Sequence, residues 1–261
     1  MPNLPPESLA SSLAQIHQVI ESHCKKVKRE RSEVTLIAVS KTHPAEKVVE
    51  ALGAGQIDFG ENYVQELVTK VRVLGEQAKL ARWHFIGHLQ TNKVKTLIED
   101  VPGLIAIHSV DSEKLLWEIV KRWSDARSHA RISKERTLQI FIEVNIDGET
   151  SKGGLTQAEA LGLALKWSSI PTQDREGLSL SGLMCIPAPN RDPRNQFFSL
   201  MSLADQARLK GLSMGMSSDF PIAIEEGATH IRVGTLIFGS RSPTRAGDHD
   251  TQDPPSTSDS H

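Results

Sequence analysis

The chain is 261 residues long, 38% hydrophobic, 24% charged and 5% aromatic, an ordinary globular composition that excludes a membrane-embedded protein, a collagen-like fibre and a wholly disordered chain. Thirty lysines and arginines against thirty-two aspartates and glutamates leave a net charge of -2, without the positive excess that non-specific nucleic-acid binding requires. The negative balance is local: residues 242–261 carry Asp248, Asp250, Asp253 and Asp259 against Arg245, which is -3 and leaves the body near +1.

In chain order, residues 5–28 predict a helix with Leu9, Leu13, Ile16 and Ile20 along one side, placed to cover the floor of the domain that follows. Eight short apolar, β-branched runs come next, at residues 34–40, 57–60, 83–87, 104–110, 139–146, 178–186, 212–216 and 230–239. Segments with helical spacing separate them. The clearest holds Leu115, Leu116, Ile119, Val120 and Trp123 on one stripe, and Ala158, Leu161 and Leu165 suggest another. Strands alternating with helices pair in parallel because each connection crosses over; an open doubly wound sheet satisfies that rule, but eight consecutive units favour a closed (β/α)8 barrel.

Residues 242–261, rich in Ser, Thr, Asp and Pro, predict a disordered acidic tail. The expected organisation is an N-terminal helix over 1–33, a barrel over 34–241 and the tail over 242–261. The basic residues of 122–136 read as a solvated helix end and loop, with a patch for an acidic partner as the sharper alternative. Two cysteines, Cys24 and Cys185, are too few for a disulfide scaffold and point to a reducing compartment. With Glu7, Glu21 and Glu30 among the first thirty residues and no long apolar stretch anywhere, a cytoplasmic protein without a membrane span is expected.

Barrels of this kind build their sites where strands end. Lys41 ends the apolar run Leu36-Ile37-Ala38-Val39 and should reach the barrel mouth. A partly desolvated lysine favours its neutral amine, the form that attacks an aldehyde to make a Schiff base, whereas a lysine snorkelling from the strand end into water fits the position as well. The loops after the seventh and eighth runs, Gly215-Met216-Ser217-Ser218-Asp219 and Gly234-Thr235, have the glycines and hydroxyls of a phosphate cradle, with Asp219 or Ser218 placed to cap the next helix. In a closed barrel the eighth strand lies beside the first, so a phosphate there and an aldehyde at Lys41 would fit one phosphorylated aldehyde cofactor. Arg232 shares that side of its strand and could face a pyridine nitrogen; a structural arginine paired with Glu143 or Glu61 is the plainer reading.

Other constellations dissolve on inspection. His84 and His88 are four apart, but Phe85, Ile86 and Gly87 read as strand and turn, so no helical metal pair forms and His84 reads as a packed histidine. Gly53, Gly55 and Gly60 miss the dinucleotide fingerprint, with Asp58 where its third glycine would stand.

Several motifs together carry a resemblance: Ala38-Val39-Ser40-Lys41-Thr42, Phe59-Gly60-Glu61-Asn62-Tyr63-Val64-Gln65-Glu66, and Trp83-His84-Phe85-Ile86-Gly87-His88-Leu89-Gln90-Thr91-Asn92-Lys93, joined by stretches at 145–153, 182–187, 212–219 and 232–241. In this order the chain resembles the YggS/PROSC family of pyridoxal phosphate homeostasis proteins over residues 34–241. The resemblance implies a single barrel of the alanine-racemase type, the fold type III class of pyridoxal-phosphate proteins. It implies pyridoxal 5'-phosphate on Lys41 as a Schiff base, its phosphate held by Met216, Ser217, Gly234 and Thr235, Arg232 at the pyridine nitrogen and Asn62 lining the ring. It also implies that the stretch from Met184 through Cys185 and Ile186 to Pro187 supports the ring from below, with His88 near the site. Pro221 and the 127–136 segment depart from the family pattern away from these positions.

The function so implied is a carrier in vitamin B6 homeostasis without substantial catalysis. Racemases of the related type add a second domain and a partner-supplied tyrosine, whereas Tyr63 is the single tyrosine here and only a polar tail follows Gly239, leaving His88 as the one candidate second base. A pyridoxal-phosphate-dependent amino-acid racemase is the alternative. The partners expected are the cofactor and, as recipients, pyridoxal-phosphate enzymes or a regulatory protein, with the chain itself a monomer.

Overall fold

The computed structural model describes residues 8–149 and 153–239; the expectations for residues 5–7 and for the acidic tail over 242–261 lie outside the described residues. Eight strands, β1 (Thr35–Val39), β2 (Asp58–Glu61), β3 (Arg82–Phe85), β4 (Leu104–Val110), β5 (Leu138–Glu143), β6 (Leu178–Met184), β7 (Gly211–Ser213) and β8 (His230–Val233), pair in parallel in chain order and close into a barrel. Between the strands stand α2 (Ala45–Gly53), α3 (Val64–Leu74), α4 (Val94–Asp100), α5 (Glu113–Ser128), α6 (Gln157–Trp167), α7 (Pro193–Ala207) and α8 (Phe220–Glu225). They are flanked by α1 (Leu9–Lys26) before β1 and α9 (Thr235–Phe238) after β8. The ring closes through β1 and β8, with Thr35 opposite His230 and Ala38 opposite Val233.

The eighth apolar run, read as one strand to residue 239, divides. β8 ends at Val233, and after Gly234 the chain turns into the four-residue α9. This short helix leaves the seam between α8 and α2 without a full-length cover. α1 fills it, packing on α8, α9 and α2 rather than across the barrel floor as the sequence reading held. Its stripe of Leu9, Leu13, Ile16, Ile20 and Cys24 is buried, its start is capped by the Ser8 hydroxyl, which accepts from Ser11 N at 3.2 Å, and Glu225 of α8 ties its last turn through His23 and Lys26.

A second correction concerns α6. The buried side is Ala160 and Leu163, while Leu165, placed on the stripe with Ala158 and Leu161, is 66% exposed. Apolar residues surround most of this helix, so spacing alone does not select a face; packing on α7 and β5 does. α5, by contrast, buries Leu115, Leu116, Ile119, Val120 and Trp123 as its spacing requires.

Much of the basic charge of 122–136 is spent inside the fold. Arg136 donates to the carbonyls of Ile98 and Val101 and lies over Trp123, Arg127 donates to Lys134 and Arg136 carbonyls, and Arg131 bridges Glu99 and Asp125. Among the described residues no helix is long and apolar enough to cross a membrane.

The apolar core has two layers. A large outer one joins strand residues such as Leu36, Ala38, Phe59 and Trp83 to the helix faces, and a small inner one holds Ala106, Phe141 and Met184 inside the barrel. Truncating the seam helix with Ile20→Ala should cost about 2–5 kcal/mol in denaturant unfolding. Leu165→Ala should change stability by less than about 0.5 kcal/mol, a contrast that checks the burial of the α1 stripe and the reassigned face of α6.

Candidate functional site at the barrel mouth

Closure of the ring brings the end of β1 against the end of β8. The residues just beyond, Lys41 on one side and Gly234 and Thr235 on the other, face one cavity of about 320 Å³ at the C-terminal ends of the strands. Asn62, Ile186, Met216, Ser217 and Arg232 line the same space. So do Ser218, from the loop read as a phosphate cradle, and Val39, His43, Ile86 and Gly239, which the sequence does not mark as site residues. Val39 is the last residue of β1, Ile86 follows β3 and Gly239 follows α9; His43 reaches the mouth because Thr42 adopts a left-handed φ of 65°, a turn that strand-end spacing does not announce.

His88 stands apart. Its ring is 71% exposed, its Nδ1 lies 3.1 Å from Asp111 Oδ2, and it faces a neighbouring hollow with Tyr63, Gln90 and Lys93 that shares only Asn62 with the cavity. The turn at Gly87 carries it there. Gly87 packs directly on the backbone of Asn62, where any Cβ would come within 2.2 Å of the Asn62 carbonyl oxygen. That contact sets Asn62 at the wall, with its buried Oδ1 lacking a hydrogen-bond partner among the described residues.

Two glycines shape the opposite wall. Gly215 has φ +92° and an added Cβ would meet Ala223 Cβ at 2.5 Å, so only glycine lets this loop lie against α8. Gly234 approaches Val39 closely enough that a Cβ would sit 3.2 Å from the Val39 carbonyl oxygen. Asp219 stands at the N-cap of α8, just before Phe220, yet its carboxylate does not cap the helix. It turns back to accept from Met216 N at 2.6 Å and so braces the loop that holds Ser217.

Arg232 is buried, and no described carboxylate pairs with it, which sets aside Glu143 and Glu61 as partners. Its Nη1 donates to Ser213 Oγ at 2.8 Å and its Nη2 to the Cys185 carbonyl at 2.9 Å. Burial draws its pKa down from the ordinary value, partly countered by the nearby Glu143 and Asp219 carboxylates, but a guanidinium stays charged, so a positive group without a direct ion pair among the described residues borders the cavity. Cys185 is itself inert: burial pushes its thiol up to about 12.

Below Arg232 a line of polar side chains crosses the barrel interior. His108 Nδ1 lies 2.8 Å from Ser213 Oγ, His108 Nε2 lies 3.0 Å from His84 Nδ1, His84 Nε2 lies 3.0 Å from Asp58 Oδ1, and Arg82 closes the line on Asp58 Oδ2 at 2.5 Å. Burial lowers the pKa of both histidines, that of His108 strongly, so both imidazoles are neutral. The protons then have one consistent order. Asp58 only accepts, so His84 donates from Nε2 and accepts at Nδ1; His108 donates from Nε2 and accepts at Nδ1; Ser213, already accepting from Arg232, donates to His108. Among the described residues no group of three or more metal-ligating side chains is placed to hold an ion.

Residues 17–242 match the family model described as alanine racemase, N-terminal domain. The chain is 39% identical over 244 residues to the pyridoxal phosphate homeostasis protein of Pasteurella multocida, covering 90% of this chain and 98% of that one, and 40% identical over 223 residues to that of Pongo abelii, covering 79% and 76%. This chain belongs to the family of pyridoxal phosphate homeostasis proteins. Among solved structures, family member PipY of Synechococcus elongatus, described with pyridoxal phosphate bound, superposes with a TM-score of 0.69 at 34% identity over 88% of this chain and all of that one. Alanine racemase from Corynebacterium glutamicum shares the fold at 13% identity, with a TM-score of 0.62 over 93% of this chain and 64% of that one.

The buried imidazoles make stability pH-dependent. Burial pushes His230, packed against His84 and His108, down to about 3, so the folded protein keeps it neutral while the unfolded chain takes up its proton below 6.5. The stabilisation is complete above pH 6.5 and is lost as pH falls, partly offset by Glu61, raised to about 6 by burial, and by Glu143, also raised. Denaturant titrations between pH 7 and 5 should show falling stability, and a folded His230→Asn variant should lose one proton from the slope, about 1.4 kcal/mol per pH unit.

Proposed function

We propose that this chain holds pyridoxal 5'-phosphate at the barrel mouth through Lys41 and acts in vitamin B6 homeostasis as a cytoplasmic carrier rather than a catalyst. The observation that carries the reading is the convergence on one cavity of an amine, a buried guanidinium held by hydrogen bonds to neutral oxygens, and a glycine- and hydroxyl-rich wall. When bound, the cofactor supplies an aldehyde that bonds covalently to an amine.

The residues present fit that group. Ser217 and Thr235 offer hydroxyl donors beside the backbone of Met216 and Gly234, where glycine permits close approach of an anion. Arg232, charged and hydrogen-bonded to neutral acceptors, would face the pyridine nitrogen of the bound cofactor and would keep that nitrogen without a proton, which would weaken the ring as an electron sink. Asn62, with an unsatisfied buried oxygen, lines the ring side, and Ile186 with Met216 supplies apolar contact. The binding unit is the barrel over 34–241 with α1 as part of its wall; cofactor-requiring enzymes are the proposed recipients and the monomer the proposed form.

Purified protein loaded with the cofactor should show a visible absorbance band that borohydride abolishes, with the reduced adduct mapping to Lys41. Lys41→Ala should lose the band and the adduct; retention of both would place the attachment elsewhere. A panel of L- and D-amino acids incubated with loaded protein in deuterated water separates carrier from racemase. No exchange of the α-proton above the level of free cofactor is expected, and rapid exchange of any one of them overturns the carrier reading.

A further inference from the structure

Behind Lys41, on the side away from the cavity, lies a buried charged cluster that cofactor contact does not account for. Lys70, on α3, is 5% exposed and directs its ammonium to three oxygens: the Ser40 carbonyl at 2.7 Å, Glu61 Oε1 at 2.5 Å and Glu66 Oε1 at 2.7 Å. An ammonium has three donors, and all three are used. The same acceptors reach the residues on either side of Lys41. Ser40 Oγ donates to Glu61 Oε1 at 2.7 Å, and Thr42 N donates to Glu66 Oε1 at 2.5 Å. Thr42 has a φ of 65°, which costs a non-glycine residue on the order of 1 kcal/mol and persists only where neighbours hold it.

The cluster therefore grips the chain at Ser40 and at Thr42 and leaves Lys41 between two fixed points. Burying an ammonium and a fully buried carboxylate is costly unless each is well bonded, and an apolar pair would fill the same space without that cost. Such a cluster is warranted where it sets a geometry that packing alone would leave loose. The hollow over α2 and α3 is lined by both polar and apolar side chains, Glu46, Gln65 and Thr69 among the former, and of these groups it is Glu66 that accepts from the Thr42 amide.

We propose that Lys70, through Glu61 and Glu66, is a positioning residue for Lys41, fixing the Ser40–Thr42 turn so that the attachment amine enters the cavity in one orientation. The inference rests on Lys41 being the attachment residue. Lys70 itself touches neither cofactor nor reacting atoms; its effect passes through two backbone contacts.

The test uses full-length protein stripped of cofactor and reloaded, comparing the unsubstituted chain with Lys70→Met and with Glu66→Ala, the latter at a partly exposed position that leaves the Glu61 bond in place. The readouts are the rate of appearance of the lysine-bound absorbance band, the borohydride-trapped fraction, and the pH midpoint of that band in the monodisperse folded fraction. Lys70→Met should slow attachment by about tenfold or more and move the pH midpoint, and Glu66→Ala should do so to a smaller extent, since a displaced reacting group loses rate steeply. A purely structural role would lower the thermal midpoint while leaving rate and pH midpoint of the folded fraction unchanged, and that result for Lys70→Met overturns the proposal. Where Lys70→Met does not fold, an unchanged attachment rate in Glu66→Ala overturns it and a slowed one supports it. If the unsubstituted chain attached nothing at Lys41, the proposed function would fall first; if it attached the cofactor and the variants matched it, only the role of Lys70 would fall.

Discussion

The structure depends on the pairing of its last strand with its first. Residues almost two hundred positions apart become neighbours when Ala38 faces Val233 in a parallel ladder, and the loops leaving the two strands then open on the same side. A parallel pair demands this outcome, because both strands run toward the same rim. Lys41, Gly234 and Thr235 reach the same rim for that reason. What the ring does require is a cover for its seam, since parallel sheets are buried on both faces. The four-residue α9 is too short to provide one, so α1, from the opposite end of the chain, stands in the gap and its apolar stripe completes the outer core.

The interior of the barrel is unusual for its polarity. Layers of branched aliphatic side chains fill most barrels of this type, whereas here Asp58, His84, His108, His230 and Ser213 occupy the space beneath Arg232, with Phe141 stacked on His108 at a ring separation of 4.4 Å. Such groups are tolerable only if each donor has an acceptor. The chain from Arg232 to Asp58 meets that condition in one direction only, and its polarity explains how a buried guanidinium is held without a carboxylate. Neutral acceptors fix its position. They hold it at the cavity wall without a direct ion pair, with Glu143 and Asp219 acting on it only through space.

Two charged devices thus flank the mouth and differ in kind. Under the cavity the histidine line holds a cation by neutral contacts; behind Lys41 the Lys70 cluster holds the backbone by ionic ones. Each acts on a residue that lines the cavity without lining it itself. The contrast bears on the proposed carrier role, which would need a defined attachment geometry and a ring environment that does not promote carbanion chemistry.

Much of this was legible in the sequence. Short β-branched runs spaced by helical segments specify strands alternating with helices, and the end of a strand is where chemistry collects, so Lys41, Ser217, Arg232, Gly234 and Thr235 could be named from position and residue type. The α5 stripe and the buried side of α1 were readable because their spacing was sharply one-sided. Tertiary structure alone decided the rest. It chose the buried face of α6, where apolar residues all round gave spacing nothing to discriminate, and it moved α1 from floor to seam because only the closed ring reveals which gap lacks a helix. It turned His88 away from the cavity through the close contact of Gly87 with Asn62, and it joined Asp58, His84, His108 and Ser213 into one line. Local sequence sets period and propensity; which polar groups become partners depends on strand register and ring closure, contacts between residues far apart in the chain.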